Sequence, residues 1–112
     1  MAKNAELQRI RFPSGWNIGI NNLYEVEPDE EYIDYYYGST LISADNKLMG
    51  LSFDSRYEPE GVPGGEFILV LQKNEYDKKG KIKNVSVLDI KKTKKKDVFI
   101  ENLERFMKTG EC

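Results

Sequence analysis

Six carboxylates and four tyrosines lie within fourteen residues of this chain, in the stretch EVEPDEEYIDYYYG at 25–38, with no basic residue, histidine or cysteine among them. Carboxylates at this density do chemistry when two or three converge, either flanking a glycosidic bond or as oxygen ligands around a hard cation. Convergence depends on spacing. Asp29, Glu30 and Glu31 are consecutive, and consecutive side chains of an extended backbone point to opposite faces. Nor does the stretch match a calcium loop, whose ligands alternate over roughly twelve residues around a central glycine. The pattern points away from catalysis and metal binding and toward an acidic turn in water.

The remaining candidates are weaker. The chain has no histidine, which removes the commonest general base and metal ligand and the usual form of the serine or cysteine triad. Its only cysteine is Cys112, so neither an internal disulfide nor a cysteine metal site can form. The glycines of EGVPGGE run into the apolar stretch FILVL, whereas a phosphate cradle needs glycines leading into a helix. The run KKTKKKD supplies lysines that could neutralise phosphates. It lacks the interleaved arginines and aromatics that read bases. The expectation is a protein that is not an enzyme and has no metal and no cofactor. A small nucleic-acid-associated protein using Lys91–Lys96 is the alternative, and an enzyme built on carboxylates and tyrosine is a third reading.

The tyrosines offer a different use. Read as a strand, residues 32–42 place Ile33, Tyr35, Tyr37 and Leu41 on one face and Tyr32, Asp34, Tyr36 and Thr40 on the other. Rigid aromatics rimmed by charge of one sign suit a protein interface, the rings supplying affinity and the charge steering the encounter.

Most of the chain reads as strand, followed by one helix. RIRFPSGWNIGI suggests two short strand pieces joined at Pro13–Gly15, and NNLYEVE continues in the same manner. ADNK at 44–47 is a hairpin signal. In KLMGLSFD, Met49, Leu51 and Phe53 alternate with Gly50, Ser52 and Asp54, the period of a half-buried strand. SRYEPEGVPGGE at 55–66 reads as a loop. FILVL, apolar on both faces, suits a central strand. NEYDKKGK is a turn, and KIKNVSVLDIKK a further strand, with Val85 and Val87 on one face and Leu88 and Ile90 pointing to burial on the other or to a bulge. Phe99, Ile100, Leu103, Phe106 and Met107 then form a helical stripe capped by Thr93 or Asp97 and ended by Gly110. The implied fold is α+β, an antiparallel sheet of about five to six strands with the C-terminal helix packed on one face.

At 112 residues the chain forms one domain, 1–112, with enough apolar content to fold. Its net charge of −2 hides an asymmetry. Residues 25–66 carry eleven acids against two bases, a net −9, while residues 73–96 carry ten bases against three acids, a net +7. The stretch MAKNAELQRIRF has no apolar run of the kind a signal peptide requires, and FILVL is too short to span a bilayer. A cytoplasmic location without membrane contact is expected.

The stretch FPSGWNIGINNLYEVEP at 12–28 has a Pro-x-Gly-Trp corner (Pro13, Gly15, Trp16), then Asn21 or Asn22, an aromatic, and an acidic turn containing proline. It resembles the N-terminal pattern of small bacterial immunity proteins, which neutralise toxin domains of contact-dependent growth inhibition and related polymorphic toxin systems. The resemblance implies a partner, a cognate toxin that is often a basic nuclease, whose active site or substrate groove is blocked. It carries no binding residue with it. The expected contacts come from the residues themselves: Asp29, Glu30, Glu31, Asp34 and Tyr36, with Tyr57, Glu58 and Glu60 as a second contact.

Overall fold

A computed structural model describes residues 5–112; the first four residues of the MAKNAELQRIRF stretch lie outside them. Five strands, β1 (Asn17–Asn21), β2 (Ile42–Asn46), β3 (Leu51–Glu58), β4 (Glu66–Tyr76) and β5 (Ile82–Thr93), form one antiparallel sheet in the order β1-β2-β3-β4-β5. One helix, α1 (Lys96–Thr109), follows and packs across β4 and β5. This is the α+β architecture that the alternation and the final apolar stripe imply. Among the described residues no helix is long and apolar enough to cross a membrane.

Alternation along β3 divides the two faces of the sheet. Leu51, Phe53 and Tyr57 lie on the helix-covered face, where Phe53 stands opposite Leu71 and Tyr57 opposite Phe67. Helix residues Phe99, Leu103, Phe106 and Met107 complete this core. Phe67 stacks on Phe99 with ring centroids 5.1 Å apart. Burying these large side chains contributes about 1.5–3 kcal/mol apiece. Trp16 ties the start of β1 to the end of the helix: its Nε1–H donates to the Met107 carbonyl at 3.0 Å, and its ring packs between Phe53 and Phe106. Gly110 ends α1 in the left-handed conformation, donating its N–H to the Phe106 carbonyl.

Five expectations are corrected. Residues 32–42 are not a continuous strand: a 3-10 turn occupies Ile33–Tyr36, and β2 begins only at Ile42. Asp29 Oδ1 accepts the backbone N–H groups of Glu31 and Tyr32, and the Tyr35 N–H bonds to the Tyr32 carbonyl, so local bonds replace a ladder. On either side of β1, among the described residues, only an isolated bridge between Leu7 and Tyr24 forms where further strand pieces were expected. The β2–β3 turn falls at 47–50, where Asn46 Oδ1 holds the Met49 N–H. The 55–66 loop is shorter than its composition suggests, because β3 runs to Glu58 and β4 starts at Glu66. At the helix N-terminus neither expected side chain caps. Lys95 is the N-cap residue without a side-chain hydrogen bond, Thr93 Oγ1 accepts the Lys95 N–H, and Asp97 Oδ1 accepts the Val98 N–H.

Candidate partner-binding site

The acidic turn at 29–34 and the loop after β3 are far apart in sequence but meet at one end of the sheet. The Gly61 N–H donates to the Tyr36 carbonyl at 3.1 Å. Gly61, at φ 68°, lets the Tyr37 ring lie directly against its backbone: a Cβ there would fall 2.3 Å from the ring. Asp29, Glu30, Glu31 and Asp34 are exposed on the turn, and Glu58 and Glu60 are exposed on the loop side. Asp29 and Glu58 are also bonded within the chain. Asp29 holds the turn through Oδ1, and Glu58 accepts from Arg56 Nε at 2.9 Å.

Tyr36 and Tyr57 are not available for contact with a partner. They are 2% and 1% exposed, with ring centroids 4.9 Å apart, and they form the junction on which the two acidic segments sit. The Tyr57 hydroxyl donates to the Val62 carbonyl and accepts the Gly65 N–H, both at 2.7 Å, so it organises the loop from within. The Tyr36 hydroxyl donates to the Val26 carbonyl at 2.6 Å. The 3-10 turn reverses the phase expected of a strand, burying Tyr36 and leaving Tyr37 58% exposed. Tyr37 is thus the accessible aromatic, although the strand reading sets it on the face opposite Tyr36. With Tyr24, Tyr35 and Asp34 it lines a cleft of about 240 Å³ beside the acidic turn.

Beneath the turn lies a buried cation. Lys96, 5% exposed, donates from Nζ to the carbonyls of Tyr24 at 2.5 Å and Val26 at 2.9 Å. Burial pushes its pKa down, and the carboxylates of Glu27 and Glu25 work against that shift. Replacing Lys96 with methionine keeps the stem but removes both donors. It is expected to cost about 1–3 kcal/mol in a urea titration, because carbonyls that had a charged donor lose it.

Burial also raises the Tyr36 pKa well above its ordinary 10.0, with the charge of Glu27, then Tyr57 and Asp29, adding to the effect. The folded chain therefore keeps a proton that the unfolded chain releases. Stability from this group is complete below pH 10 and falls as the pH rises past that value. Tyr36→Phe is expected to cost about 1 kcal/mol at neutral pH through the lost bond to Val26, and to flatten the alkaline fall. Unfolding titrations at neutral and alkaline pH check both effects.

The lysine run does not form a patch. Lys91 lies on the helix side and pairs with Asp89 at 3.5 Å, Lys92 is on the other face of β5, Lys94 and Lys95 are exposed, and Lys96 is buried. Thr93 stands opposite Phe67, which brings the run back to the acidic end. The lysines at the far end of the sheet are those of the 77–81 turn, beyond the eleven residues of β4. The asymmetry of charge along the sequence is thus only partly an asymmetry in space.

The open face of the sheet holds a trough of about 510 Å³. Ser52 Oγ lies 3.0 Å from Gln72 Oε1 and 3.3 Å from Asn74 Oδ1 there. Asp45 and Asp54 also line it, but the hydroxyl is engaged with amide oxygens rather than with a base. Among the described residues, no three His, Cys, Asp or Glu side chains are grouped so as to hold a metal ion. Compared with protein-family models, curated proteins and solved structures, the chain matches none.

Proposed function

We propose that the protein is an immunity-type inhibitor that binds a cognate toxin domain, a basic nuclease, and covers its active site or substrate groove. The observation that carries this reading is the junction of two acidic segments, 29–34 and 58–60, through the Gly61–Tyr36 hydrogen bond and the Tyr36–Tyr57 ring pair. Carboxylates held on a braced end imitate the phosphates that a nuclease groove accepts, and they lose less entropy on binding than a mobile acidic tail would. The cleft beside them suits an arginine or lysine side chain of the partner, since Asp34 offers charge and Tyr24 and Tyr37 offer ring faces. The resemblance of residues 12–28 to immunity proteins agrees with this reading, and the protein acts in the cytoplasm, where such toxins arrive.

Retention on heparin and on duplex DNA at moderate salt separates this from the nucleic-acid alternative. The acidic-end reading predicts elution with the void. Retention that Lys92→Glu with Lys94→Glu abolishes would favour the alternative.

A further inference from the structure

β5 is the longest strand and lies at the edge of the sheet. Its inner side pairs with β4, and among the described residues no strand pairs with its outer side. An edge of this kind presents a row of backbone donors and acceptors, which proteins usually guard with short length, proline, lysine or bulges. β5 carries lysines and two bulges, but it is twelve residues long and contains no proline. Ile82, Val85, Val87, Leu88 and Ile90 are each 42–58% exposed along it.

The bulges restrict how a second copy could pair. Lys83 and Leu88 are the extra residues, left out of the β4 register. Opposite β4, Ile82, Val85, Val87 and Ile90 fall on the open face, while Ser86 and Asp89 fall on the helix-covered face. An antiparallel pairing of two β5 strands centred on Ser86 sets Val85 opposite Val87 and Ile82 opposite Ile90, matching faces on both sides of the bulges. It also sets Lys83 opposite Asp89, and two-fold symmetry repeats every pair. Centring on Val87 instead puts Val85 opposite Asp89, across faces. Centring on Val85 puts Val87 opposite Lys83.

We propose that β5 is the seam of a two-fold homodimer that joins two five-stranded sheets into one, in the register centred on Ser86. The strands run antiparallel, so the two acidic ends point away from each other and both remain open. The dimer therefore stands independently of the function proposed above.

Sedimentation equilibrium from about 10 µM to about 1 mM tests it. The expected result is a concentration-dependent dimer that Val87→Lys weakens by about tenfold or more, with circular dichroism unchanged and, at concentrations too low for dimer, the unfolding midpoint unchanged. In a Cys112→Ser background, Ser86→Cys is expected to give a disulfide-linked dimer on mild oxidation and Lys92→Cys to give none. This readout of the seam does not depend on the lysine variant folding. Glu30→Lys with Asp34→Lys should leave the dimer intact, which separates failure here from failure of the acidic-end reading. A monomer at every concentration, a dimer indifferent to Val87→Lys, or cross-linking at position 92 instead of 86 would overturn the proposal.

Discussion

Phe67→Ala is expected to lower the unfolding free energy by about 3–5 kcal/mol, a large share of what a domain of this size has. Phe67 has no exposed surface. Its ring is 5.8 Å from Tyr36, 5.4 Å from Tyr57 and 5.1 Å from Phe99, so a single side chain joins the turn, the sheet and the helix. Truncating it leaves a cavity in the middle of three rings that the Tyr57 hydroxyl bonds and the α1 backbone keep from closing in. Urea unfolding by tryptophan fluorescence, with Trp16 in the same core, measures the loss. A loss below about 1 kcal/mol would mean that the aromatic junction does not brace the acidic end.

The second large effect is on association. Glu30→Lys with Asp34→Lys reverses two exposed charges of the turn. Neither side chain is buried, so the unfolding midpoint should stay where it is. Association with the basic partner should slow on the order of 10²-fold at low salt, and the difference should shrink as salt is added. Stopped-flow traces across a salt series read both quantities. Equal rates for the variant and the parent, independent of salt, would remove electrostatic steering from the account.

What the sequence reveals and conceals here follows from which forces are local. The helix is legible because Phe99, Leu103, Phe106 and Met107 repeat at its period and Gly110 supplies the left-handed stop. β3 is legible because Leu51 and Phe53 alternate with smaller or polar residues, and β4 because FILVL is apolar on both faces. Residues 32–42 mislead because tyrosine and isoleucine favour strands, while the segment's own bonds, two to Asp29 Oδ1 and those of its backbone, wind it into a turn. That winding decides which tyrosine faces water, so Tyr36 and Tyr37 exchange roles. Lys96 misleads for a different reason. A lysine within a lysine run looks solvated, and only the carbonyls of Tyr24 and Val26, some seventy residues away in sequence, make its burial tolerable. The acidic turn itself is legible. That it meets the 58–66 loop is not, because the contact depends on Gly61 fitting beneath Tyr37, a long-range match that no local pattern encodes.

Inhibition of a basic nuclease by the acidic end, as proposed, can be tested in the native cells. The most direct test is to capture binding partners from the native cells on immobilised parent protein and on the Glu30→Lys, Asp34→Lys variant, and to assay each eluate for plasmid cleavage with and without added free protein. The account predicts a basic protein retained by the parent alone, whose cleavage of plasmid stops when equimolar parent is added and continues when the variant is added. Eluates without nuclease activity, or a nuclease that parent and variant inhibit equally, would contradict it.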